Sequence, residues 1–176
     1  GILLLGLQFM KSSVASLTDY VEPETLADLA PWQYLFFGVV FSAVIQSSSA
    51  MLMITLAALN AGIITLPNAA AIAIGANLGT TTTVIIGAIR GAPAKRQVAT
   101  AHFLFNLVTA GVAYVLRAPL LAVIAWAGLA DPLFALVAFH SLFNLIGLVI
   151  FVPLIVPLGR FLEHRFVADS QPVATA

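Results

Sequence analysis

Apolar runs of unequal length, interrupted by short polar clusters, organise this chain. Trp32 to Ile45 and Ala50 to Ile64 flank the polar cluster Gln46-Ser47-Ser48-Ser49. About 35 residues separate Pro31 from Pro67. That is too long for one crossing, and too short for two crossings of roughly 20 residues with a turn. The pattern predicts a re-entrant helical hairpin over 32–65 with the four polar residues at its tip. Backbone that turns at membrane depth must be buried in protein or line a water-filled cavity, so this stretch is the candidate site.

Further along, Ala69 to Ile89 is long enough to span. Its middle holds Gly75-Ala76-Asn77-Leu78-Gly79-Thr80-Thr81-Thr82-Thr83. Two explanations stand side by side for this predicted broken helix, 68–90. Either small residues let it pack closely on a neighbour, or it unwinds and exposes carbonyl groups. Arg90 to Gln97 reads as a basic loop and Val98 to Leu116 as a clean span. Pro119 to Leu129 is short for a crossing and reads as a re-entrant or interfacial piece, and Leu133 to Leu158 spans again. Ahead of these, Gly1 to Leu17 reads as the end of a helix, with Lys11 near the interface. Asp19 to Leu29 reads as a polar connector, and Pro31, Trp32 and Tyr34 mark the return to the membrane. The sequence thus predicts a single membrane domain over 1–166 and a disordered tail over 167–176.

Composition agrees with this division. Only 8% of residues are charged and mean hydropathy is +1.09, whereas soluble domains carry about 25% charged residues. The expected class is an all-α integral membrane protein lying in the cell membrane with several passes. Zero formal net charge and the lack of a basic stripe exclude nucleic acid as a partner. Cysteine is absent, which excludes disulfides and thiolate metal sites. The connector and Asp131 hold five of the seven acids, while residues 90–97 and 160–165 hold five of the seven basic residues. By the positive-inside rule, loop 90–97 and the C-terminal tail are expected to be cytoplasmic; Arg117 falls on the other side. The chain starts inside an apolar run without Met, which suggests a piece of a longer protein.

A short pattern, H-x-L-F-N, occurs twice, as His102 to Asn106 and as His140 to Asn144. In each copy His and Asn are four apart and share a helix face. They read as structural polar pairs that bond between helices, or as groups beside a conduction path.

The chemistry of the tip follows from helix ends. A half-helix starting after the turn aims free N–H groups and a positive dipole end at whatever binds there. The hydroxyls of Ser47, Ser48 and Ser49 add donors, so an anion can be held without Arg or Lys. Gln46, Ser47, Ser48, Asn77 and Thr80 offer oxygens suited to sodium, and Thr80, Thr81 and Thr82 can serve either ion. No cofactor is expected. A Ser-rich helix contact joined to a small-residue packing motif accounts for the same residues without a ligand. A non-transporting membrane scaffold or assembly subunit is therefore the alternative. A third class is an intramembrane hydrolase using a serine from 47–49 with His102 or His140. It lacks a G-x-S-x-G elbow.

Gln46-Ser47-Ser48-Ser49-Ala50, followed by Gly75-Ala76-Asn77-Leu78-Gly79-Thr80-Thr81, resembles the signature of the type II sodium–phosphate cotransporter family. Gly6 to Met10, Ala101 to Asn106 and Phe139 to Asn144 resemble its bacterial members. The resemblance implies an inverted-repeat transporter in which two Q-S-S-S hairpins enclose phosphate and sodium. Gln46 and Ser47 to Ser49 would be ligands, and Asn77, Thr80 and Thr81 would line the same cavity. The implied function is sodium-coupled phosphate transport by alternating access. This chain holds one Q-S-S-S, so a second repeat of the same protein or a homodimer partner is expected to complete the site.

Overall fold

Proline in the first turn opens four of the helices, where its missing N–H costs nothing and its fixed φ suits the helix. The computed structural model describes residues 29–166 and, ahead of them, Leu5, Gly6, Gln8, Phe9, Ser12, Ser13 and Ser16. The readings for Lys11, the 19–28 connector and the 167–176 tail lie outside the described residues.

In chain order the helices are α1 (Pro31–Ile45), α2 (Ser48–Asn60), α3 (Leu66–Gly79), α4 (Thr81–Ala88), α5 (Pro93–Val115), α6 (Arg117–Trp126), α7 (Pro132–Phe151) and α8 (Ile155–Phe166). A 3-10 turn, Val152–Leu154, joins the last two. No strand occurs among the described residues.

The molecule is built around α3. Residues Ala69 to Ala76 are all buried, as expected of a helix that is apolar on every side. It touches α1, α2, α5, α6 and α7. Its contact with α1 is backbone against backbone. A Cβ at Gly75 would lie 2.0 Å from the Leu35 carbonyl oxygen, and one at Gly79 would lie 2.3 Å from that of Val39. On the other side, a Cβ at Gly38 would lie 2.2 Å from the Ile72 carbonyl oxygen. Leu35 meets Gly75 and Val39 meets Gly79, so the two helices run parallel. Their N-terminal ends are tied by a hydrogen bond between Tyr34 and the Asn68 side chain. Two parallel helices of 15 and 14 residues need a return between them, and α2 supplies it. Gly62, at φ 73°, ends the return, with the Ile63 N–H reaching the Ala58 carbonyl. The outcome is a helical hairpin, α1–α2, lying on α3.

Three helical stretches are long and apolar enough to cross a membrane: Leu66–Ala88, Pro93–Val115 and Pro132–Phe166. The first contains α3 and α4, with Thr80 as the only residue outside the helical pattern. Several boundaries differ from the sequence expectation; at the tip, α2 starts at Ser48 and not Ala50, so Ser48 and Ser49 are helical and only Gln46 and Ser47 lie between α1 and α2. Basic residues Lys95 and Arg96 belong to the start of α5, not to a loop, because Pro93 opens the helix earlier. The span expected to end at Leu158 leaves the α pattern at Val152, next to Pro153, which lacks an N–H to donate. It then resumes as α8 through Phe166, so the polar stretch from Arg160 to Phe166 is helical. Gln97 Nε2 donates to the Gly159 carbonyl at 3.3 Å and ties α8 to α5. The short piece expected around Pro119 is the ten-residue α6.

The two H-x-L-F-N copies lie on α5 and α7, which cross antiparallel. Phe105 stacks edge-on against Phe151 at 4.9 Å. Three residues past each Asn stand Thr109 and Gly147, and a Cβ on Gly147 would lie 2.4 Å from Thr109 Oγ1. Each Asn amide donates to its own His carbonyl, at 3.0 Å from Asn106 and 2.7 Å from Asn144. Only Asn144 is also bonded to a neighbouring helix, accepting from Asn77 Nδ2 at 3.1 Å. The expected interhelical bond is thus present in one copy and replaced by an intrahelical one in the other.

Two outcomes test this packing. Gly75→Val should destabilise the protein by about 3 kcal/mol or more, since an inserted side chain meets backbone that cannot rotate away. Gly87→Val, where a Cβ meets nothing within 4 Å, should leave thermal unfolding in detergent nearly unchanged. Asn144→Leu should cost about 0.6–1.7 kcal/mol, the range for interhelical bonds in membranes. Asn106→Leu should cost less; equal losses on denaturant unfolding would refute the unequal roles.

Candidate functional site: the hairpin tip and the broken helix

Gln46 is the pivot of the tip. Among the described residues it is the only non-glycine with positive φ, at 58°, a left-handed conformation that costs roughly 1–2 kcal/mol for an L-residue. Its N–H bonds the Ser42 carbonyl at 2.7 Å and closes α1. Glycine would adopt this turn without strain, but it would lack the side chain. Gln46 Nε2 donates to the Ala43 carbonyl, and its Oε1 accepts from Thr83 Oγ1 at 2.7 Å. The strained residue therefore fastens the tip to α4.

Next in the chain, Ser47 caps α2: its Oγ accepts the Ala50 N–H at 3.1 Å, and its carbonyl accepts the Met51 N–H at 3.0 Å. The first turn of a helix leaves four N–H groups without helical partners. Met51 makes the first helical bond to the Ser47 carbonyl and Ala50 is satisfied by Ser47 Oγ, so those of Ser47, Ser48 and Ser49 remain. Ser48 is half-buried and Ser49 is exposed.

Opposite the tip is the end of α3, and here the carbonyls are not bare. Ser42 Oγ donates to the Ala76 carbonyl at 2.6 Å. Thr80, Thr81 and Thr82 donate to the carbonyls of Asn77, Leu78 and Gly79 at 3.0, 2.7 and 2.8 Å. All four of the last carbonyls of α3 thus accept a hydroxyl. The expectation of an unwound segment with exposed carbonyls is corrected: the interruption is one residue wide, and hydroxyls three residues ahead close it. Close packing through Gly75 and Gly79 occurs at the same place, so the two explanations offered by the sequence combine.

Of the predicted residues, Gln46 meets the broken helix through Thr83, while Thr80, Thr81 and Thr82 bond back to the end of α3. Asn77 turns its amide toward Asn144 on α7. Among the described residues, none of the side-chain bonds from tip to break involves Ser47, Ser48 or Ser49. Those bonds run through Thr83 and Ser42, which the sequence reading passed over. A signal existed: Ser42 is four residues before Gln46, hence on the same face of α1. No hydrogen bond joins a serine of 47–49 to His102 or His140 among the described residues. His102 is exposed on α5, and His140 Nε2 lies 3.4 Å from Asn144 Nδ2. No group of three His, Asp or Glu able to hold a metal occurs among the described residues.

Comparison with known proteins places these residues in context. The chain is 38% identical over 128 residues to "Uncharacterized protein YqeW" of Bacillus subtilis, covering 70% of this chain and 40% of the relative. It is 29% identical over 165 residues to "Putative inorganic phosphate export protein YjbB" of Escherichia coli K12, covering 92% of this chain and 30% of that protein. The protein of the same name in Salmonella typhimurium is 27% identical over 183 residues, covering 99% of this chain and 32% of the relative. The chain therefore spans well under half the length of these curated relatives. No solved structure matches it. Residues 2–158, which include the tip, the break and both H-x-L-F-N helices, match the Na+/Pi-cotransporter pattern, and the chain belongs to that family.

Proposed function

We propose that the whole protein carries inorganic phosphate across the membrane coupled to sodium, by alternating access, and that the α1–α2 tip and the α3–α4 break form half of its site. The observation that carries this reading is the strained Gln46, held against a helix break whose every terminal carbonyl is capped. Strain of this kind persists where function over-determines the backbone. Family membership supports phosphate as substrate. One repeat is present, so a second repeat of the same protein or a homodimer partner supplies the rest. The hairpin is read as re-entrant, with the basic end at Arg90 to Arg96 and α8 cytoplasmic by the positive-inside rule.

Hydrogen-bond chemistry divides the ions between the two halves of the feature. The hydroxyl hydrogens of Thr80, Thr81 and Thr82 are committed to carbonyls, so these oxygens present lone pairs only. They suit a cation, and sodium belongs on that side, with Gln46 and Asn77 as further oxygen donors. At the tip, Ser47 Oγ already accepts an N–H and keeps its own hydrogen. Together with the hydroxyls and N–H groups of Ser48 and Ser49 it forms a donor cluster at the positive end of α2. Phosphate belongs there.

A scaffold reading is favoured by one observation. The threonine hydroxyls and Asn77 are engaged within the protein, as helix glue would be. Transport separates the readings. In proteoliposomes holding the full-length protein, labelled phosphate uptake should require a sodium gradient. Ser48→Ala should lower kcat/KM for phosphate about 10–100-fold, the loss expected for one hydrogen bond to a charged group. Thr82→Val should raise the sodium concentration for half-maximal uptake while leaving the phosphate KM at saturating sodium unchanged. Sodium-independent uptake, or wild-type kinetics in both variants, would defeat the assignment.

A further inference from the structure

The basic end of the molecule carries a second feature unrelated to the tip. Ile85 and Ile89 at the end of α4, with Ala99 and Phe103 on α5, line an open groove of about 480 Å³. That volume falls within the range of about 300–1,000 Å³ usual for ligand sites. Phe166, the last residue of α8, and Arg96 on α5 complete the lining, with the Arg96 guanidinium 5.5 Å from the Phe166 ring centroid. The arrangement combines an apolar slot with a fixed, exposed cation in its lining.

Among the described residues, charge at this end of the molecule is mostly positive. Arg90 follows Ile89, Lys95 precedes Arg96, and Arg160 and Arg165 lie on α8, which packs against α5. All are exposed. Against them this end holds Glu163 alone among the described carboxylates. The other one, Asp131, caps α7 at 2.8 Å from the Leu133 N–H. Because α7 runs antiparallel to α5, that cap lies a full helix length away. Ile85 and Ala88 belong to Leu66–Ala88, Ala99 and Phe103 to Pro93–Val115 and Phe166 to Pro132–Phe166, the three stretches long and apolar enough to cross a membrane.

We propose that this groove is a binding site for an anionic phospholipid. An acyl chain lies along Ile85, Ile89 and Phe103, and the phosphodiester is held at Arg96. A free phosphate ion gains nothing from the apolar walls, and a zwitterionic lipid gains less where cations are in excess. Phe166 stacks under Arg96 and holds the guanidinium in place, so the α8 contact is part of the site.

The test uses the full-length protein in nanodiscs containing equal amounts of phosphatidylglycerol and phosphatidylcholine. Native mass spectrometry after mild delipidation counts the lipids retained. Phosphatidylglycerol should be retained preferentially. Arg96→Gln should reduce that retention about fivefold, the effect of removing one basic residue near an anionic surface, with phosphatidylcholine unchanged. Phe103→Trp, which fills the groove and keeps the charge, should also reduce it. Arg90→Gln, which removes a neighbouring charge that does not line the groove, should reduce it less than Arg96→Gln does. Equal retention of the two lipids by the unaltered protein would overturn the proposal. So would an Arg90→Gln loss as large as that of Arg96→Gln, which would mean diffuse attraction. Displacement by excess inorganic phosphate would overturn it too, by showing that the site takes the free anion.

Discussion

The contact on which this molecule depends is the close approach of two parallel helices through glycine. Gly38, Gly75 and Gly79 each leave room for a carbonyl oxygen where a side chain would sit. In hydrocarbon there is no hydrophobic force to press helices together, so close van der Waals packing must hold them. Parallel helices joined by a short chain are possible only if something returns between them. The return is α2, and its start is the Q-S-S-S tip. The hairpin thus follows from the glycine contact as much as from the length of the apolar runs.

Closeness also decides the polar chemistry. With α1 lying on α3, Ser42 reaches the Ala76 carbonyl and the end of α1 comes beside the break. The carbonyls at the end of α3 would cost several kcal/mol each if left bare in lipid. Threonine is suited to close them, because its hydroxyl reaches back to the carbonyl three residues before it. The run of threonines is therefore a device for ending and restarting a helix while each freed carbonyl keeps a hydroxyl partner within the protein. The same device fixes which way each threonine hydroxyl points, with its hydrogen on a carbonyl of α3.

The repeated H-x-L-F-N pattern shows how equal sequences acquire unequal work. Both copies place Asn over its own His carbonyl. Only Asn144 faces Asn77, because α7 passes beside α3 at that height. Thr109 and Gly147 hold matching places after the two copies and meet each other. A small residue in one copy makes room for the larger one in the other.

How much was legible in the chain follows from the range of the forces involved. Apolar run lengths, proline starts and a polar tip are local, and the residues of α1 to α7 could be placed from them. So could the membrane class, because 61% apolar and 8% charged composition leaves no soluble alternative. The start of α5 at Pro93 was readable too, yet the basic side chains argued for a loop. The left-handed turn at Gln46, the Gln46–Thr83 and Ser42–Ala76 bonds and the Asn77–Asn144 bond were not legible. Each joins residues at least 34 apart or sets a backbone angle that only such contacts make tolerable. By itself, the sequence determined that these helices form in a membrane and that a polar cluster at Gln46 to Ser49 marks their interruption, which the fold narrows to Gln46 and Ser47. Only the tertiary structure decided what the interruption faces, because glycine contacts set which helix lies beside which.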